Sequence, residues 1–256
     1  MSSYTIVDPF EKTLPYSLTN MHPRNTVSKI AFLVALQLSC VNSHAQGAPV
    51  GVFDRVTGQV SVQTPGNPSR LASRGDAVAV GDVVVTDDTS EAGITASDGT
   101  RIVLRVKSRL EVTDYRFEPA NNNAGTFVTN LLRGGLRMVT GLIGKAQPRN
   151  QRVLANTATI GIRGTDFEVV MVDDDTADLR AGTYDHVFDG ATDISLASGE
   201  TLVVPKDKTG LALANPRPGE ERLQLLDSRP AFIRGGGFDA MQLLQTRPQM
   251  IIRPMR

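Results

Sequence analysis

The sequence predicts an all-β fold, and three observations carry that prediction. Between about residues 50 and 204, short runs of β-branched and aliphatic residues alternate with turn-forming residues. No run of ten or more residues in that stretch keeps a clean helical period, which argues against βαβ units. Glycine (23) and proline (14) are plentiful, as a chain with many reversals requires.

In chain order, the strand-forming runs include 59–62, 82–86, 93–96, 100–107, 110–113, 166–172 and 201–204. Turn signals rich in Pro, Gly, Asn, Asp and Ser lie between them, at 64–68, 87–88, 98–99, 121–123, 134–135, 173–175, 189–190 and 198–199. Asp98-Gly99, set between Ala96 and Ile102, reads as a type I′ hairpin turn. On the strand around Ile102, alternation puts Ile102, Leu104, Val106 and Leu110 on one face and Arg101, Arg105, Lys107 and Arg109 on the other. That second face is a candidate interaction surface for an anionic polymer or acidic partner. The ordinary reading is a solvated strand face that discourages edge pairing.

Length and charge exclude several functions. The 256 residues suit one or two domains of about 100–200 residues each. Lys plus Arg (27) balance Asp plus Glu (27), so the chain lacks the basic excess of a bulk nucleic-acid binder. Four Tyr, nine Phe and no Trp make a thin supply for a base-stacking platform. One cysteine, Cys40, excludes an internal disulfide framework and a cysteine-rich zinc site.

Residues 1–45 read as a leader rather than as fold. Arg24 and Lys29 precede an apolar run from Ile30 to Leu38, and Ser43-His44-Ala45 supplies a small-x-small site. This is the pattern of a secretory signal peptide cleaved after Ala45, with Met21 as an alternative start. The run is shorter than the roughly 20 residues that span a bilayer. Gln37 occupies the place where a lipobox needs an aliphatic residue, which favours release over a lipid anchor at Cys40. The mature chain from Gln46 then holds no cysteine, so core burial alone must sustain the fold, and one histidine, His186.

No catalytic, cofactor or metal site emerges from the residues. Gly161 and Gly164 flank Ile162-Arg163, but no Gly-Lys-Ser/Thr ends the loop and a strand rather than a helix follows, so this is no phosphate loop. Both glycines read as structural, relieving dihedral or close-approach constraints, with Arg163 reaching a carbonyl or a carboxylate such as Asp166. Asp173-Asp174-Asp175 lacks the spacing of a calcium loop and reads as a turn. His186 reads as a strand histidine rather than a general base.

The order of three blocks, Val56-Thr57-Gly58-Gln59-Val60, Gly81-Asp82-Val83-Val84-Val85-Thr86 and Ala96-Ser97-Asp98-Gly99-Thr100-Arg101-Ile102, resembles the FecR domain family. The resemblance strengthens at Thr157-Ala158-Thr159-Ile160-Gly161-Ile162-Arg163-Gly164-Thr165-Asp166-Phe167 and continues with Gly182 and the turn ending at Gly199. It spans about residues 50–205. It implies a β-rich exported module, a short β-solenoid in some members, whose best-known relatives carry a signal from an outer-membrane iron transporter to a sigma factor. Gly58, Gly81, Asp82, Asp98, Gly99, Ile160, Gly161, Arg163, Gly164, Thr165, Phe167, Gly182 and Gly199 are then motif residues with structural roles.

The expected organisation is a leader (1–45), a FecR-like β-domain (46–210) and a linker with C-terminal tail (211–256). In the tail, 215–219 reads as the linker, 220–227 and 238–246 as short helices, and Gly235-Gly236-Gly237 as a break. Leu223, Leu225, Leu226, Met241, Leu243 and Leu244 would cap the open end of the β-domain. The expectation is a non-enzymatic periplasmic or secreted β-domain that binds an envelope protein as scaffold or signal relay, without cofactor, nucleic acid or transmembrane span. The alternatives are a truncated relative of the iron-responsive regulators and a polysaccharide-binding or hydrolytic module, for which an anionic glycan is the ligand.

Overall fold

The computed structural model describes residues 49–121, 124–177 and 179–234. The leader, Asn122-Asn123, the triple glycine and the second tail helix, with Met241, Leu243 and Leu244, lie outside the described residues. The first strands are β1 (Pro49–Thr57), β2 (Val60–Gln63), β3 (Arg70–Leu71), β4 (Ala77–Ala79), β5 (Val83–Thr86) and β6 (Glu91–Ala96). Next come β7 (Arg101–Leu104), β8 (Arg109–Arg116), β9 (Thr126–Arg133) and β10 (Gly135–Val139). A short helix α1 (Leu142–Ala146) and a single 3₁₀ turn (Pro148–Asn150) lead to β11 (Gln151–Leu154), β12 (Thr159–Ile162) and β13 (Asp166–Val172). Then follow β14 (Gly182–Asp189), β15 (Ala191–Ser195), β16 (Thr201–Pro205), β17 (Thr209–Leu213), β18 (Leu223–Leu226) and a last turn of helix, α2 (Ala231–Arg234).

These strands form two nine-stranded sheets. Sheet I runs β4-β1-β6-β7-β10-β13-β14-β17-β18, and sheet II runs β3-β2-β5-β8-β9-β11-β12-β15-β16. Past its first few strands the chain lays down hairpins on alternate sheets (β6–β7, β8–β9, β11–β12, β13–β14, β15–β16, β17–β18), so it advances along both sheets together. Every pairing is antiparallel except β9 with β11, where the chain leaves sheet II, adds β10 to sheet I and returns through α1.

Period-two alternation builds the core between the sheets. Ile102 and Leu104 of β7, Leu136 and Met138 of β10, and Phe167 and Val169 of β13 point inward from sheet I. Leu110 of β8, Phe127 and Leu131 of β9, and Ile160 and Ile162 of β12 meet them from sheet II in the same cluster. Full burial of each large side chain contributes about 1.5–3 kcal/mol, which suits a domain whose described residues contain no cysteine. A second cluster, with Val170, Tyr184, Leu211 and Leu213, lies on the outer face of sheet I under Ile233 of α2.

The structure corrects several expectations. The run at 100–107 is not one strand: β7 stops at Leu104, Lys107 takes a positive φ of 55°, and the chain crosses to sheet II. Arg101 and Arg105 therefore belong to sheet I, Lys107 to the crossing turn, and Arg109 to sheet II, where its Nη2 donates to Gln63 Oε1 at 2.7 Å. The four cations form no common stripe. The hairpin at Asp98-Gly99 is present but is not type I′, since Gly99 has positive φ (82°) and Asp98 does not. Gly99 N donates to Ala96 O (2.9 Å) and Ala96 N to Thr100 O (2.8 Å), the bonding of a three-residue loop that closes on a glycine bulge. Asp98 is held there by its own carboxylate, which accepts from Thr100 N and Oγ1.

The tail also differs. Residues 215–219 are the loop of the β17–β18 hairpin, and β17 runs through the expected boundary at 210/211. The stretch 220–227 holds an edge strand instead of a helix, because the open edge of β17 presents backbone groups that only a strand satisfies. Leu223 enters the main core, Leu226 packs against the outer cluster, and Leu225 stays exposed.

Candidate functional site: a cationic groove on sheet II

A groove of about 840 Å³ crosses the outer face of sheet II over β11, β12, β15 and β16. Its floor follows from alternation: with Ile160, Ile162, Thr192 and Ile194 buried inward, Thr159, Gly161, Asp193 and Ser195 face outward. Register then aligns Arg152, Gly161, Asp193 and Val203 in one row across the four strands. The turn at Gln147, Pro148 and Arg149 lines one side.

Gly161 lies on this floor, and its backbone does not need to be glycine. It has no positive φ, and a Cβ there would meet only Asp193 Cβ and O at 3.7 Å, ordinary van der Waals contact. The structural role expected of it is therefore corrected: the missing side chain opens the groove. Gly164, one turn further on, does take a positive φ of 73°.

Arg163 reaches a carboxylate, but not that of Asp166. Its Nε donates to Asp193 Oδ2 at 2.8 Å, because β12 pairs with β15. Asp166 opens β13 in the other sheet and is held by Arg137 through two bonds of 2.8 and 2.7 Å. Asp193 Oδ1 is buried without a hydrogen-bond partner. Arg149 and Arg152 are exposed, and neither guanidinium has a hydrogen bond or ion pair with the described residues. The groove thus offers two cations unpaired among the described residues and the hydroxyls of Thr159, Ser195 and Thr201.

The other motif residues lie away from this surface. Ile160 and Phe167 are wholly buried, and Thr165 is buried with its N donating to Thr140 Oγ1 at 3.0 Å. Gly58, Gly81, Gly99, Gly182 and Gly199 all have positive φ, at turns or at a strand start. Asp82 is buried and accepts from Thr64 Oγ1 and Ala79 N. Asp98 accepts from Thr100 and from Ile143 N, tying the β6–β7 turn to α1.

A separate polar cluster lies on the outer face of sheet I and is already filled. Glu168 is fully buried and paired twice with Arg229, with 2.8 Å from Nη2 to Oε2; burial pushes its carboxyl up while Arg229 opposes that shift. His186 Nδ1 lies 2.9 Å from Thr209 Oγ1, and burial followed by Arg229 lowers the pKa of its ring. Arg137 stacks 3.9 Å from the centroid of Phe188, whose edge meets His186. Arg105 and Arg229 both donate to Ile233 O, so the cluster fastens the segment that carries α2. Asp185 faces the other way, between the sheets, where burial raises its pKa to about 7. No group of three or more His, Cys, Asp or Glu suited to a metal occurs among the described residues. No helix among them is long and apolar enough to cross a membrane.

Sequence reasoning missed Arg149, Arg152, Asp193 and the Glu168–Arg229 pair. Strand alternation alone would put Arg152, Gly161 and Asp193 on one kind of face, but only the pairing of β11, β12 and β15 makes them neighbours. The Glu168–Arg229 bond joins positions 61 residues apart and leaves no local signal.

Comparison with curated proteins finds no match. Two crystal structures of a candidate anti-sigma factor from Parabacteroides distasonis are similar at 11% identity and a TM-score of 0.42, covering 57% of this chain and 59% of theirs. Residues 82–191 match the FecR protein family. That span runs from the residue before β5 to the start of β15 and includes Arg149, Arg152, Gly161 and Arg163. Residues 82–191 of this chain thus form a FecR domain.

Proposed function

We propose that this protein is a non-enzymatic, exported β-domain that works by binding a protein partner in the bacterial envelope, as a signal-relay or scaffold component, and that the sheet II groove is the binding site. The FecR match over residues 82–191 supports a regulatory, signal-relaying role. The observation that carries the site is Gly161, a glycine that neither φ nor packing requires, at the floor of a groove bordered by two uncompensated arginines. Export rests on the leader pattern. The stepwise advance of hairpins along both sheets supports reading the domain as a short solenoid of hairpins.

A photo-reactive side chain placed at Thr201 or Arg152, with the protein expressed in its native cell, tests the site. The expected result is a discrete protein adduct from these positions and none from Leu71, on the far edge strand β3. Adducts of equal yield from all three, or none from the groove, would contradict the reading. Terminal sequencing of the cell-envelope protein should begin at Gln46; an intact leader on protein held in the cytosol would contradict export.

A further inference from the structure

We infer that the groove's ligand is an acidic, extended segment of the partner protein, with a carboxylate at Arg149 and Arg152 and backbone N–H groups donated to the hydroxyls of the floor. The inference rests on the groove being the partner site and goes on to name the chemistry bound there. Charge comes first. The groove lining holds Arg149, Arg152 and Arg163 against one carboxylate, Asp193, in a chain of zero formal net charge. Arg163 already neutralises Asp193, so the uncompensated charge is that of Arg149 and Arg152.

The hydroxyls of Thr159, Ser195 and Thr201 add acceptors on the same surface. A phosphate ion brings negative charge alone, whereas an extended peptide also presents backbone N–H groups at regular intervals. The spacing fits as well. The strand of Arg152, β11, and that of Ser195, β15, stand two strands apart, roughly 10 Å. Three residues of extended chain cover the same distance at about 3.3 Å each. Val203, 47% exposed, ends the row and gives an apolar side chain of the segment a surface to cover.

Among the described residues the groove lining contains no aromatic side chain, so stacking of sugars or bases has no platform there. That separates a peptide from the anionic glycan or nucleic acid that arginines alone would equally attract. The absent side chain at Gly161 lets the segment's backbone approach the sheet between the two halves of the site.

Selection of a random seven-residue peptide library on the full chain tests the inference. Selected peptides should be enriched in Asp or Glu, and their Glu→Gln or Asp→Asn counterparts should bind at least tenfold more weakly. Arg149→Glu combined with Arg152→Glu should lower affinity at least tenfold, as should Gly161→Leu. Gly161→Leu should melt no lower than the parent, since a strand-interior glycine packs nothing and the added Cβ has room. Peptides without acidic enrichment, or acidic peptides held equally by Gly161→Leu, would overturn the inference. So would polygalacturonate binding more tightly than the selected peptides. If Thr201 still cross-links a protein in cells while the library shows no acidic preference, the acidic segment fails and the partner site stands.

Discussion

Glu168 and Arg229 show how a single pair decides where the end of the described chain lies. The carboxylate is fully buried on β13, and Arg229 is the group that meets it with two bonds. Arg229→Ala would strand a buried charge and should cost about 3–5 kcal/mol in denaturant unfolding. Replacing both members by Met should cost far less, because the desolvation penalty disappears with the charges. Asp185 is the other buried carboxyl of consequence. Burial raises its pKa from 3.8 to about 7, and Thr192 Oγ1 donates to it from sheet II. Between those values the folded protein keeps a proton that the unfolded chain has released, so this group makes stability fall as pH rises through the window and level off above it. Asp185→Asn should abolish that fall and leave the variant more stable than the parent at pH 8, by roughly a few kcal/mol. Urea titrations at a series of pH values read both effects.

Elements are legible in this sequence wherever alternation is strong and local. The run 166–172 is strand β13 to the residue, and 201–204 falls within β16. Strand β14 is harder to see because its inward positions include Thr183 and Asp185, which break the apolar rhythm even though both are buried. Strand β18 is set by the edge of β17 and not by its own composition, so its leucines read as readily as a helix. The turn at Asp98 is legible as a turn, but its geometry depends on α1, 45 residues away, whose Ile143 N donates to the same carboxylate. Asp98→Ala would leave Thr100 N and Ile143 N without their acceptor and should cost about 3 kcal/mol. Hydrogen exchange should then show lost protection at those two amides first, with protection in β13 retained.

Across the whole molecule, the core follows from the strand alternation and the FecR match from the motif blocks, but the candidate site does not. Arg152, Gly161 and Asp193 lie on β11, β12 and β15, and the chain visits the other sheet to build β13 and β14 between β12 and β15. Only that hairpin-by-hairpin alternation brings the row together. It also explains why the cationic run at 101–109 separates: the crossing at Lys107 sends its two halves to different sheets. The proposed site thus lies on the outer face of one sheet, while the inner faces supply stability. The two are separable at Gly161, where the structure leaves room that packing does not use.

The most direct measurement is therefore made on Gly161→Leu expressed from its native locus, with its melting temperature and its yield of the Thr201 cross-linked partner taken from the same preparation. The expected result is an unchanged or higher melting temperature together with loss of the partner adduct. A full yield of adduct from an equally stable variant would contradict the account.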